Sequence, residues 1–90
     1  MIRILIVEDD ENISKMLAAT LSIGDYEYDR CADGEEAVQT IINGTYDLIL
    51  LDVMLPGIDG FAVLEHIRGE SCETPVIFLT ALGAVADKVK

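Results

Sequence analysis

The run Leu48-Ile49-Leu50-Leu51, four apolar residues with Asp47 before it and Asp52 after it, constrains this chain most. A strand with one wet face alternates apolar and polar side chains, so a strand with no polar position must be covered on both faces. That is the condition of a central strand in a parallel sheet with helices above and below. The rest of the sequence supplies what such a sheet needs. Arg3 to Val7 is another β-rich run, and acids follow it at once in Glu8, Asp9, Asp10 and Glu11. Ile13, Met16, Leu17, Thr20 and Leu21 then recur at helical spacing and predict an inward helix face, which Gly24 and Asp25 end. Tyr26 to Ala32 reads as a strand whose alternating charges suit a sheet edge. Asp33 stands where it can cap a second helix, with Glu35 and Glu36 in the first turn. Ala37, Val38, Ile41 and Ile42 give that helix its apolar face, and Asn43 and Gly44 stop it. A third helix is predicted over Gly60 to Arg68 with Phe61, Leu64 and Ile67 inward. Pro75 opens a fourth strand, Val76 to Leu79, and Val85 to Lys90 read as a helix beginning.

The order βαβαβαβ predicts an α/β fold with a doubly wound parallel sheet and right-handed crossovers. Ninety residues allow one small domain. Sheets of this kind bind ligands beyond the carboxyl ends of their strands. Glu8 and Asp9 end the first strand, Asp52 the third and Thr80 the fourth. If these strands are neighbours, three carboxyls and a hydroxyl share one cleft. Two carboxylates about 4 Å apart repel by roughly 4 kcal/mol at an effective dielectric near 20, and a proton or a cation must relieve that. Oxygen-only ligands select a hard, partly hydrated ion such as Mg2+. With no His or Cys at a strand end, zinc is disfavoured. Asp10 suits the N-cap of the first helix better than a place among the ligands.

Composition removes other classes. The formal net charge of −11 repels phosphate backbones, which argues against direct nucleic-acid binding. A chain 51% hydrophobic and 26% charged is not disordered by composition. No apolar run approaches the roughly 20 residues of a membrane helix, and the short apolar start lacks the form of a signal peptide. A cytoplasmic location without membrane attachment is therefore expected. Cys31 and Cys72 have no metal-ligand spacing and read as reduced packing thiols. His66 reads as a surface residue of the third helix. Gly57 and Gly60 belong to a turn, because no G-x-x-x-x-G-K-[ST] occurs.

Three blocks taken together resemble a known family. They are Ile4-Leu5-Ile6-Val7-Glu8-Asp9-Asp10, the stretch Asp47 to Gly60 with Asp52-Val53-Met54-Leu55-Pro56-Gly57 at its centre, and Pro75-Val76-Ile77-Phe78-Leu79-Thr80-Ala81. In order and spacing the chain resembles bacterial response-regulator receiver domains, most of all those of winged-helix transcription factors. The resemblance implies a flavodoxin-like sheet in the order 2-1-3-4-5. It implies that Asp52 accepts a phosphoryl group from a sensor histidine kinase. Asp9 and Asp52 would ligate Mg2+ by their side chains, Glu8 through water, and Met54 by its backbone carbonyl. Thr80 would be the switch hydroxyl, with Ala81 beside it at the phosphate. A DNA-binding output domain is expected in the parent protein.

The family pattern runs on past Lys90 through a fifth strand ending in Lys-Pro and a fifth helix. Lys88 and Lys90 come too early to be that lysine and read as solvated helix charges. The expectation is a receiver domain over residues 1–90, incomplete at its C-terminus, with sheet order 2-1-3-4 and the fifth strand and helix missing. The apolar fourth strand would then present an open edge, so self-association is expected. Two other readings compete. A haloacid-dehalogenase-type hydrolase would need a second aspartate at the position of Met54. A receiver-like interaction module that is never phosphorylated needs only the fold.

Overall fold

β1 (Arg3–Val7) is the strand on which the others are hung. In a computed structural model, which describes residues 1–79, it pairs on one edge with β2 (Glu27–Cys31) and on the other with β3 (Leu48–Asp52). β4 (Val76–Leu79) pairs with the far edge of β3. All pairings are parallel, as the chain's alternation predicts, and the order is β2-β1-β3-β4, the order that the family resemblance implies. The connections are α1 (Glu11–Ile23), α2 (Gly34–Asn43) and α3 (Gly60–Gly69). Thr80, Ala81 and the helix expected from Val85 onward lie outside the described residues.

Alternation along the strands divides the core in two. Leu5 and Val7 of β1 and Ile49 and Leu51 of β3 face α2 and α3, where they meet Ala37, Val38, Ile41, Val63 and Ile67. None of these nine is more than 3% exposed. Burying a Val, Leu or Ile side chain fully contributes about 1.5–3 kcal/mol, so this layer dominates the fold's stability. Ile4 and Ile6 point the other way, to the face on which α1 lies.

That second face is covered unevenly. Ile6, Leu50 and Ile77 stand in register across β1, β3 and β4. Ile6 is fully buried and Leu50 half-buried, whereas Ile77 is 53% exposed. Among the described residues the cover is α1 alone, and it sits over β1 and β2.

The helices differ from their predicted faces in an instructive way. α1 turns the small residues Ser14 and Ala18 to the sheet, flanked by half-buried Ile13, Leu17 and Leu21. Met16, predicted inward, is 60% exposed, and Thr20 is exposed too, its hydroxyl donating to the Met16 carbonyl at 3.0 Å. Small side chains let the helix lie close to Ile4 and Ile6, and hydropathy alone does not score that preference. In α3, Val63 and Ile67 are buried while Phe61 is 46% exposed and tilts onto Phe78, ring centroids 4.8 Å apart. Ile42 of α2 is likewise at the surface.

Each helix starts on an aspartate. Asp10 accepts from the amides of Asn12 and Ile13, Asp33 from Glu36 and Asp59 from Ala62. At the amino-terminal end of the sheet, Asp29 Oδ2 accepts from Arg3 (2.8 Å) and from the Tyr46 hydroxyl (2.7 Å). The Arg3 guanidinium also lies over the Tyr46 ring, 5.2 Å from its centroid. Cys31 is buried and Cys72 half-buried, and both are free thiols.

Candidate functional site

The register brings the ends of β1 and β3 level, so the residues that follow them share one edge of the sheet. Glu8, Asp9 and Asp52 meet there, and one carboxylate oxygen from each lies within 4.8 Å of the others. Glu8 is 6% and Asp52 8% exposed, while Asp9 opens to solvent. The sequence leads one to expect these three to meet if β1 and β3 are neighbours, and β1 and β3 are paired. Thr80 and Ala81, expected beside them, lie outside the described residues.

Backbone contacts fix both acids. The Glu8 amide donates to the Cys31 carbonyl at 3.0 Å, which ties the end of β1 to β2. The Val53 amide donates to Leu79 at 3.4 Å and holds the end of β3 to β4. Glu8 Oε2 accepts from the Asp10 amide at 3.1 Å, and Asp52 Oδ1 from the Met54 amide at 3.2 Å. Gly60 packs so tightly on this turn that a side chain there would overlap the Asp52 carbonyl oxygen. Asp10 spends its own carboxylate on the α1 cap, as its position in the sequence indicated.

Electrostatics at the cluster are strained. Burial pushes the Glu8 carboxyl up to about 7 from an ordinary 4.5, against the help of the Asp10 amide. The charges of Asp52 and Asp9 and a hydrogen bond with the Asp52 carboxyl raise it further. A carboxyl that holds a proton near neutrality because it is buried and faces other carboxyls is a group a cation can discharge. The donors are all oxygens, and a half-open side leaves room for water. That set fits a hard divalent ion and not a soft one.

A cleft of about 260 Å³ adjoins Glu8 between α1, β2 and the start of α2. Arg30 stands in it, its guanidinium 3.7 Å from Glu11 and 3.4 Å from the Ser14 hydroxyl. Nothing in the linear sequence marks Arg30, because only the β1–β2 register brings it beside the acids. Met54 follows the cluster on an exposed loop, its side chain 75% exposed, so any role at the site falls to its backbone. His66 is exposed on α3, away from the strand ends.

Residues 4–90 match the model of the response regulator receiver domain. The chain belongs to the response-regulator receiver family. Receivers are regulatory domains of two-component signalling rather than enzymes in the ordinary sense. This receiver is 47% identical over 88 residues to the transcriptional regulatory protein TcrA of Mycobacterium tuberculosis. The match takes in 98% of this chain but only 35% of that protein, so the receiver spans about a third of the relative's length. Among solved structures it superposes on the response regulator TrrA of Thermotoga maritima in complex with Mg2+–BeF, with a TM-score of 0.88 and 38% identity. That superposition covers 99% of this chain and 77% of TrrA. A complex of TrrA with the histidine kinase ThkA also matches, with a TM-score of 0.83 and 42% identity over 90% of this chain and 70% of the other. The four parallel strands in order 2-1-3-4 are those of the flavodoxin-like receiver fold. No helix among the described residues is long and apolar enough to cross a membrane.

Proposed function

We propose that residues 1–90 form a receiver whose Asp52 accepts a phosphoryl group from a phosphohistidine of a sensor histidine kinase. Supporting this reading is the meeting of Glu8, Asp9 and Asp52 at the carboxyl ends of β1 and β3, with oxygens within 4.8 Å. Mg2+ would be held by the side chains of Asp9 and Asp52, by Glu8 through water and by the backbone carbonyl of Met54. When bound, it supplies charge neutralisation for the phosphoryl oxygens. In the transfer, an Asp52 carboxylate oxygen forms a bond to phosphorus. The phosphorus–nitrogen bond breaks, and its electron pair returns to the imidazole. The Met54 amide keeps Asp52 aimed, and Asp9, at the open side, would help hold the ion that the incoming phosphoryl oxygens meet. Thr80 takes the role of switch hydroxyl, with Ala81 beside it at the phosphate.

A kinase partner is supported by the complex that a similar regulator forms with ThkA, and a DNA-binding output domain in a longer parent by similarity to the transcriptional regulatory protein TcrA. A cytoplasmic location suits both. Incubation with acetyl phosphate and Mg2+, followed by mass spectrometry of the intact protein, tests the reading. One added phosphoryl group, absent from Asp52→Asn, is expected. A wild-type protein that gains none would instead favour an interaction module with a receiver's shape. A gain retained in Asp52→Asn would move the acceptor elsewhere.

A further inference from the structure

The loop from Val53 to Asp59 carries the Met54 carbonyl and lies against the first turn of α2. Gly34, the first residue of that helix, is buried there. Its amide, one of the helix's free N-terminal donors, reaches the Pro56 carbonyl at 3.3 Å. Its Cα faces Ile58 so closely that a Cβ would overlap the Ile58 carbonyl oxygen. The same Cβ would stand 2.7 Å from Ile58 Cγ1 and 3.2 Å from the Ile58 carbonyl carbon. Its φ is not among the positive values of the described chain, so close approach and not conformational freedom demands glycine here. Gly57, next along the loop, faces the side chain of Glu35. The loop is thus backed by α2 on one side and held by the Gly60 amide, which donates to the Val53 carbonyl at 2.9 Å, on the other.

We infer that Gly34 is a positioning residue for the metal site: its bare Cα is the backstop that sets where the Val53–Asp59 loop places the Met54 carbonyl and amide. The inference rests on the reading of Glu8, Asp9, Asp52 and Met54 as the Mg2+ site. A methyl group at residue 34 would have to push Ile58 outward and strain the amide's bond to the Pro56 carbonyl, and Met54 lies two residues before Pro56 in the same short loop. Displaced supports of metal ligands commonly cost ten- to a hundredfold in affinity, through orientation rather than loss of a ligand. Gly34 touches neither metal nor phosphate, so hydropathy and acid-cluster reasoning both pass over it.

The test compares Gly34→Ala with two controls. Gly69→Ala adds a methyl where nothing lies within 4 Å. Ile41→Ala, in the same helix, empties a buried core position away from the loop. Two readouts are taken on the 90-residue protein: Mg2+ affinity by NMR titration, and hydrogen exchange of the Met54 amide without metal. Gly34→Ala should weaken Mg2+ binding about tenfold and speed exchange at Met54. Gly69→Ala should change neither, and Ile41→Ala should lower the melting midpoint while leaving Mg2+ affinity near wild type. Ile58→Ala, which removes the side-chain share of the contact, keeps the carbonyl and adds no bulk, should move both readouts the same way by a smaller factor, and it serves if Gly34→Ala does not fold. If Gly34→Ala, or Ile58→Ala in its place, changes both readouts no more than Ile41→Ala does, Gly34 is packing alone. If wild type binds no Mg2+, or Asp52→Asn binds it equally, the site reading fails. Exchange at Met54 still decides whether Gly34 holds the loop.

Discussion

Glu8 concentrates the physics of the site in one side chain. Its folded-state pKa of about 7 lies above the ordinary 4.5, so the folded protein binds this proton more tightly than the unfolded chain. The stability it contributes is complete below pH 4.5 and is lost as pH rises through 7. With a discount for the cluster's solvent-open side, the swing is on the order of 2 kcal/mol. Glu8→Gln stays neutral throughout and should not show it. Without metal, the variant should melt above wild type at pH 8 and level with it at pH 4.5, as followed by circular dichroism. Equal offsets at the two pH values would mean that the proton is not held as the geometry implies. Millimolar Mg2+ should raise the wild-type midpoint by linkage at pH 8, and the double variant Asp9→Ala/Asp52→Ala should lose that rise. The acids themselves were legible in the sequence, because each ends an apolar strand. Arg30 and Gly34 were not, since each owes its place to a contact between segments distant in the chain.

At the scale of elements, the caps and the clusters separate two kinds of aspartate that look alike in sequence. Asp10 adjoins Asp9 yet serves α1, where its side chain takes two helix amides. Asp10→Ala should therefore cost about 1 kcal/mol in denaturant unfolding, the usual loss for an N-cap. Its Mg2+ affinity should stay within about twofold of wild type, in contrast to Asp9→Ala. A drop as deep as that of Asp9→Ala would place Asp10 among the ligands. The parallel strands and the helices between them could be read directly, because a fully apolar β3 needs cover on both sides and a helical pattern lies between consecutive strands, whereas the order 2-1-3-4 was legible only through the resemblance to receivers. Helix faces were read less well. The periodicity of α1 is satisfied by Met16 as readily as by Ser14, and only the nearness of the sheet decides for the smaller side chain. Phe61 looks like core by hydropathy but gains its cover from Phe78, a partner on strand β4.

For the whole molecule, the uneven cover of the α1 face carries the clearest expectation. Ile77 on β4 is 53% exposed, and Met16 and Ile23 of α1 are 60% and 88% exposed. Apolar surface of this extent seeks a partner, while a net charge of −11 holds copies apart. Salt screens charge over about 10 Å at 0.1 M. Self-association of the 90-residue chain should therefore strengthen from low to moderate salt, with β4 and its neighbours at the contact. Light scattering at tens of micromolar measures it, and Ile77→Lys should reduce it. A monomer at both salt concentrations would show that charge prevails over the apolar face. At the opposite end of the sheet from the acids, Tyr46 binds Asp29 beneath Arg3, and burial with that carboxylate holds its phenol up to about 12. The chain has three tyrosines and no tryptophan, so its near-ultraviolet absorbance is tyrosine's. In alkaline titration the Tyr46 phenol should ionise only near pH 12, and its phenolate can no longer donate to Asp29, so its appearance reports loss of that bond. The protein thus carries a built-in optical gauge of the Arg3–Asp29–Tyr46 contact, at the end of the sheet opposite the acids.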